Sequence, residues 1–276
     1  MNTFESRKKS REFNEKLIKL ALISAATISI LTTFGILFSI LFEAIEFFKL
    51  RSFWYFLTGS TWTPGVIDSQ FGALPIFAGT FVITVIALGV AIPIGLGSAI
   101  YMSEYASSKV RDYLKPILEV LAGIPSVVYG FFAAITVAPL IVKAAAAIGL
   151  EATFNSALAS GIVMGIMIIP TISSLSDDVI RSVPDSQRKA SFGLGMTQAE
   201  TIKDIVLPTA LPGIISASIL ALSKALGETM VVVMAAGLRP NLSWNPLEDM
   251  TTVTVTIVNA LVGDFEFSSP ETLSAF

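Results

Sequence analysis

The chain has 276 residues, 53% of them hydrophobic and 14% charged, with a formal net charge of −3 and a mean hydropathy of +0.75. A soluble domain carries about 25% charged residues, so this is a membrane-protein composition. Cysteine and histidine are both absent, which excludes disulfides, thiol chemistry, Cys- or His-based metal centres and the commonest general base.

Residues 1–19 form a cationic tail with Arg7, Lys8, Lys9, Arg11, Lys16 and Lys19. Uncharged apolar runs of about 18 residues or more, long enough to cross a ~30 Å hydrocarbon core, follow it. The first is 20–42; it is longer than the apolar region of a signal peptide and ends in no small-residue cleavage site. Residues 20–72 then comprise this span and an extracytoplasmic connection. The second span is placed at 73–101, the third at 120–142, the fourth at 156–176 and the fifth at 208–238, the last interrupted only by Lys224 and Glu228. The expected fold is an all-α polytopic bundle of five complete spans. The tail "SPETLSAF" reads as the first turn of a sixth, with Pro270 and Glu271 near its start, as in a chain truncated within its transmembrane domain of 73–276.

Prolines and glycines lie inside these spans, in "AIPIGLG" (91–97), "AGIPSVVYG" (122–130) and "IMIIPTIS" (166–173). Such breaks are tolerated where neighbouring helices or a cavity satisfy the freed backbone groups. Gly161 and Gly165, four apart, allow a second helix to approach closely. Ser126 and Tyr129, beside Pro125, are candidates to line a path, with packing as the other account. The alternation of Thr and Val in "MTTVTVTIVNALVGDF" (250–265) has the period of a strand. A lone strand has no place in lipid, so this segment reads as an extracytoplasmic interfacial or re-entrant element.

If the spans alternate, thirteen of the 18 lysines and arginines fall on one side: those of the tail, Lys109, Arg111 and Lys115 between spans 2 and 3, and Arg181, Arg188, Lys189 and Lys203 between spans 4 and 5. Lys49, Arg51, Lys143 and Arg239 fall on the other. The positive-inside rule makes the first side, with the N-terminus, cytoplasmic. Glu104 and Glu119, near the cytoplasmic ends of spans 2 and 3, are expected at the interface or paired with Lys109, Arg111 or Lys115.

The connection between spans 4 and 5, residues 177–214, is too long for a simple turn. Its sequence predicts two short helices. One begins at Pro184, a residue suited to a first helical position, and is broken by Gly193 and Gly195. The other opens on Thr197-Gln-Ala-Glu200, a capping box, and closes before Pro208. Within it, "KASFGLGMTQAETIKDIVLP" resembles the EAA loop of the ABC importer permeases, with the pattern on Lys189, Ala190, Ser191, Gly195, Ile205, Leu207 and Pro208. Lys189 stands where that motif has Glu, and Ser191 where it has Ala. "FGALPIFAGTFVITVIALGVAIPIGLGSAIYMSEYA" (71–106), "LEVLAGIPSVVYGFFA" (118–133), "LSKALGETM" (222–230) and "WTP" at 62–64 are similar to phosphate-specific permease subunits of the PstC type.

The resemblance implies a type I ABC importer transmembrane bundle in a prokaryotic plasma (inner) membrane. It implies that the loop 177–208 couples to an ATPase, through Arg188, Lys189, Ala190, Ser191, Gly195, Thr197, Glu200, Ile205, Leu207 and Pro208. It further implies a second permease subunit of the PstA type, a dimeric ATP-binding subunit and an extracytoplasmic phosphate-binding protein as partners, with phosphate as cargo and no nucleic acid. The chain has no G-x-x-x-x-G-K-[ST] stretch to cradle a nucleotide phosphate. No cofactor is therefore expected on this chain, and ATP and Mg²⁺ belong to the ATPase partner.

On one continuous helix through 208–238, Lys224 and Glu228 share a face with Gly213, Ala217, Leu220, Ala221, Gly227, Val231 and Ala235, opposite Ile215, Ile219, Leu222, Leu226, Met230 and Val233. A charge at the centre of a span costs about 2.5–3.5 kcal/mol on insertion scales, and such residues mark functional sites. The expectation is that Lys224 meets a permeating anion and that Glu228 neutralises it when the path is empty. A self-neutralising pair that only locks packing is the alternative. In the family this lysine position is typically Arg; Lys keeps the charge without the bidentate fork. The competing functions are a permease for another oxyanion (molybdate, sulfate or phosphonate) and an ATP-independent ion-coupled transporter or channel.

Overall fold

Apolar sequence with small residues at every fourth position dictates helix packed on helix, and a computed structural model of the chain shows that architecture. It describes residues 2–65, 68–263, 266 and 269–276, with side chains described from residue 14 onward. Arg7, Lys8, Lys9 and Arg11 of the tail, and Asp264 and Phe265 at the end of the Thr/Val segment, lie outside what is described. The chain divides into two compact units, Met1–Phe53 with Asp264–Phe276, and Trp54–Gly263.

The first unit holds α1 (Asn2–Leu50), which continues beyond the predicted 20–42 at both ends. It also holds α13 (Pro270–Leu273), where Pro270 takes the first helical position and the Ser269 side chain accepts from the Thr272 backbone N–H. The second unit begins with α2 (Phe53–Thr58) and a two-stranded antiparallel ribbon, β1 (Trp62–Thr63) and β2 (Gln70–Phe71). The ribbon sets the Trp62 ring edge-on to Phe71 at 5.5 Å, joining the "WTP" and "FGALP" stretches.

The helices that follow are α3 (Leu74–Ile100), α4 (Ser108–Gly123), α5 (Ser126–Phe132), α6 (Ala138–Ala147), α7 (Ala157–Ser182), α8 (Asp185–Gly193), α9 (Gln198–Thr201), α10 (Leu207–Leu226), α11 (Met230–Ala235) and α12 (Val253–Val262). A π-helical turn at Tyr101–Tyr105 ends α3, and two more, Ala133–Val137 and Ile202–Val206, join consecutive helices. Among the described residues five segments are long and apolar enough to cross a membrane: Asn14–Leu50, Leu74–Tyr105, Ser126–Ala147, Ala157–Ser182 and Gln198–Leu226. The expected number of spans is thus found.

At the centre of the second unit α3 lies along α7. On α3 the buried residues Ile83, Ala87, Ala91, Gly95 and Ala99 recur every four positions. On α7, Gly161 and Gly165 meet Ile86 and Val90: a Cβ on Gly161 would lie 2.7 Å from an Ile86 carbon, and one on Gly165 2.8 Å from the Ala87 carbonyl oxygen. In lipid, where apolar contact alone does not drive helices together, this close approach supplies the dispersion contact that does.

Proline has two outcomes here. Pro93 and Pro170 are carried inside continuous helices. Pro125 breaks the chain, because Ile124 before it takes the extended conformation (ψ 129°) that a following proline ring favours. The predicted third span, 120–142, is corrected accordingly: it is Ser126–Ala147, and residues 120–123 belong to the separate helix α4.

The structure defines two further segments. The Thr/Val alternation is helical over α12, because tertiary contacts override the period: Val253 N–H donates to Thr80 Oγ1 at 3.0 Å and Thr254 Oγ1 donates to the Glu228 carbonyl at 3.0 Å. The predicted end of the second loop helix before Pro208 is also replaced. Residues Gln198–Leu226 form one continuous helical segment, in which the turn Ile202–Val206 absorbs the proline by passing the Leu207 N–H to the Ile202 carbonyl.

Candidate functional site

Two places carry the residues singled out by sequence: the loop between the fourth and fifth spans, and the break in the fifth.

In the loop, Pro184 is the N-cap of α8 rather than its first helical residue, its ψ of 136° lying outside the helical region. Gly195, at φ +84°, ends α8 in a left-handed conformation that costs L-residues about 1–2 kcal/mol. The Met196 N–H bonds to the Ser191 carbonyl at 3.1 Å and the Gly195 N–H to Phe192 at 3.0 Å, the paired bonds of a Schellman stop. Two residues on, Thr197 and Glu200 form the capping box that starts α9. Buried Ser191 and Thr201 then share a hydroxyl–hydroxyl bond of 2.7 Å that fastens α8 to α9. The serine that replaces the motif's alanine thus makes a bond alanine cannot. Lys189 and Ala190 are exposed, with Pro208; Ile205 and Leu207 are half-buried. A groove of about 400 Å³ runs between Gln187, Ala190, Leu194, Asp204, Ile205 and Pro208.

Arg188 does not face outward with its neighbour. Its side chain is 15% exposed and its guanidinium reaches Glu104 Oε1 at 2.7 Å, the Ile180 carbonyl at 2.9 Å and the Val183 carbonyl at 2.5 Å. The last two are carbonyls at the end of α7, of which Ile180 also accepts the Val183 N–H at 3.4 Å. Gln198 Nε2 donates to the Glu104 backbone carbonyl at 2.7 Å. Glu104 therefore joins the end of the second span to both loop helices, in place of the expected pairing with Lys109, Arg111 or Lys115. No sequence spacing signals a pair 84 positions apart. Lys115 instead binds Asp178 at 3.1 Å, and Arg181 lies 3.3 Å from buried Asp177.

The fifth span departs from one continuous helix. α10 ends at Leu226 with Gly227 as its cap, and α11 begins at Met230. The break is locally satisfied. The Gly227 and Glu228 N–H groups donate to the Ser223 and Ala225 carbonyls at 3.1 and 3.2 Å, Glu228 Oε1 accepts from the Val231 N–H at 3.2 Å, and Thr254 covers the Glu228 carbonyl. The reading of Lys224 and Glu228 as an i,i+4 pair on one helix is corrected: the helix stops between them, and among the described residues no ion pair joins them. Lys224 occupies the last turn of α10, where the helix dipole favours a cation.

Ala210, Ile214, Ala217, Ala221 and Ala225 form the buried stripe of α10, while Ile215, Ile219 and Leu226 on other faces are exposed. The small residues do face the bundle. Lys224 is exposed at the edge of that stripe, beside exposed Leu220 and Ser223, and Glu228 is half-buried. Ser126 is half-buried at the start of α5. Tyr129 is 7% exposed, within the core, and its hydroxyl donates to the Leu121 carbonyl at 2.9 Å across the Pro125 break.

The two ends of α7 are held differently, one by ion pairs and the other by backbone caps. Lys115, Arg181 and Arg188 gather at the end where α7 finishes. At the opposite end the first amides of α7 are capped by the chain returning from α11: Ala157 N–H donates to the Glu248 carbonyl at 3.0 Å and Leu158 N–H to Pro246 at 2.8 Å.

Residues 91–258, from the middle of α3 through most of α12 and including the loop and the broken span, match the family model described as binding-protein-dependent transport system inner membrane component. The chain belongs to this family. As a member it is a multi-pass membrane component of an ABC transport system, working with the system's other components. It is 37% identical over 216 residues to the probable ABC transporter permease protein YqgH of Bacillus subtilis, an alignment covering 78% of this chain and 68% of that one. It is 35% identical over 232 residues to the phosphate transport system permease protein PstC of Mesorhizobium japonicum (78% and 70%). It is 32% identical over 249 residues to the phosphate transport system permease protein PstC 1 of Mycobacterium tuberculosis (79% and 73%).

Proposed function

We propose that this family member is the membrane permease subunit of an ATP-driven importer of inorganic phosphate, in which it forms half of the translocation path. The observation that carries the reading is Lys224: an ammonium exposed at a break in a membrane span, with no ion pair among the described residues. An intramembrane cation is costly without a counter-charge, and a permeating oxyanion supplies one. The carboxylate of Glu228, held by the Val231 N–H, keeps the region from binding an anion too tightly, as conduction requires. Ser126, at the start of α5, is a further candidate lining residue. Tyr129 is assigned to packing across the Pro125 break.

Coupling to ATP hydrolysis is assigned to the loop. The exposed Lys189 and Ala190, with the groove ending at Ile205 and Pro208, offer the docking surface; Arg188, Ser191, Gly195, Thr197 and Glu200 hold its shape, and Leu207 carries it into the fifth span. The partners are a second permease subunit, a dimeric ATP-binding subunit that holds ATP and Mg²⁺, and an extracytoplasmic phosphate-binding protein. By the positive-inside rule the N-terminus and the loop between the fourth and fifth spans are assigned to the cytoplasm.

Lys224→Gln tests the path. Vesicles carrying the complete transporter are expected to lose phosphate uptake while the variant still co-purifies with its ATPase subunit. Normal uptake by this variant would overturn the assignment. Competition of labelled phosphate uptake by sulfate, molybdate and phosphonate separates the phosphate reading from that of another oxyanion.

A further inference from the structure

Helix α4 presents three different faces, and only one of them meets the protein. Ser107 caps its start, and 16 residues of helix follow, carrying Lys109, Arg111, Asp112, Lys115 and Glu119, too many charges for a span. At roughly 100° per residue, Arg111, Leu114, Lys115 and Leu118 make one stripe, and these are its half-buried residues. This stripe is fixed to α7, with Lys115 on Asp178 at 3.1 Å and the Arg111 Nε buried. A second stripe, centred roughly 120° to one side, is wholly apolar and exposed: Val110 at 39%, Tyr113 at 77%, Ile117 at 54%, Val120 at 69% and Leu121 at 37%. A third, holding Asp112 and Glu119, is exposed and charged.

A helix that only packs on a protein in water needs two faces, one apolar inward and one polar outward. Here the inward face carries the charged contacts and the strongest apolar face points away from the protein. Three sectors, toward protein, apolar medium and water, suit a helix lying in a membrane interface against a bundle.

The ends of α4 place it there. The segment Leu74–Tyr105 ends two residues before Ser107, and Ser126–Ala147 begins three residues after Gly123. Both neighbours are membrane spans, so the apolar stripe is continuous with surfaces that meet lipid. Exposed Val127, Val128 and Phe131 extend it along α5. Tyr113, the most exposed residue of the stripe, is of the type enriched at the headgroup level.

We infer that α4 is an interfacial membrane helix, its Val110–Tyr113–Ile117–Val120 stripe seated among the acyl chains of the leaflet next to the loop, and its Asp112–Glu119 face in water. The inference rests on the membrane location of the chain and is independent of the transported anion.

The chain has no cysteine, so single-cysteine nitroxide labels report directly. The variants Ile117→Cys, Val120→Cys, Asp112→Cys and Glu119→Cys are prepared in the complete transporter and reconstituted in phosphatidylethanolamine–phosphatidylglycerol vesicles. Labels at 117 and 120 are expected to be several-fold more accessible to oxygen than to a water-soluble nickel chelate, with the reverse at 112 and 119. Labels at 117 and 120 as open to nickel as those at 112 and 119 would overturn the inference. Immobile labels shielded from both reagents would also overturn it, because a second protein would then cover the stripe. For positions where a label perturbs folding, Tyr113→Trp gives a second reading: brominated lipid is expected to quench its emission, and unquenched emission counts against lipid contact.

Discussion

Arg188, on the first loop helix, holds Glu104, at the end of the second span, by a 2.7 Å charged hydrogen bond while also donating to the Ile180 and Val183 carbonyls at the end of the fourth span. One guanidinium thus ties the loop to two spans, and the continuous segment Gln198–Leu226 ties it to a third. A displacement imposed on the loop is therefore expected to be felt by three spans. Removing one partner of so buried a pair costs about 3–5 kcal/mol. Arg188→Ala is expected to lower the thermal stability of the purified transporter and to uncouple ATP hydrolysis from transport. Arg188→Lys, with one compact ammonium in place of the fork, is expected to recover only part of both, measured as uptake per ATP hydrolysed.

The hydroxyl bond between Ser191 and Thr201 predicts a smaller local effect. Thr201→Val keeps the shape and deletes a buried bond worth about 1 kcal/mol. Faster amide exchange in residues 185–201, with exchange in α3 and α7 unchanged, is the expected result.

Gly161 and Gly165 predict an effect at the centre of the bundle. Added methyl groups would fall within 2.8 Å of Ile86 or of the Ala87 carbonyl, and overpacking of this kind costs about 1–3 kcal/mol. Gly161→Val is expected to lower the melting temperature of the detergent-solubilised transporter more than Gly97→Ala, since a Cβ at Gly97 meets nothing within 4 Å.

Glu248 sets a pH dependence at the far end. Hydrogen bonds from Ser243, Asn241 and Asn245 hold its carboxyl below the usual glutamate range. With the folded pKa depressed, its contribution is complete above the unfolded value of about 4.3 and is lost as pH falls through the folded pKa. Cleavage by an acid-active protease within residues 239–249 should therefore rise as the pH drops below about 4.3. In Glu248→Gln that rise should be absent, with cleavage already high at about pH 5, above the unfolded glutamate value of about 4.3.

The number of spans, the cationic loop, the capping box at Thr197 and the helix stop at Gly195 were all legible in the chain. Each depends on local properties: the length of an apolar run, the hydrogen-bonding reach of a side chain within one turn, the left-handed backbone that glycine tolerates. The partner of Arg188, the helical state of the Thr/Val segment and the break between Lys224 and Glu228 were not legible. Glu104 lies 84 residues from Arg188, and cations nearer in sequence compete for it until folding excludes them. Thr80 and Thr254 come from distant elements; they supply the hydrogen bonds that make a helix of α12 and that cover the opened backbone at Glu228. Local chemistry thus determined which segments cross the membrane and where the loop helices begin and stop. Tertiary structure decided which charges meet, because a polar group inside a bundle takes the partner that packing brings within reach rather than the one nearest along the chain.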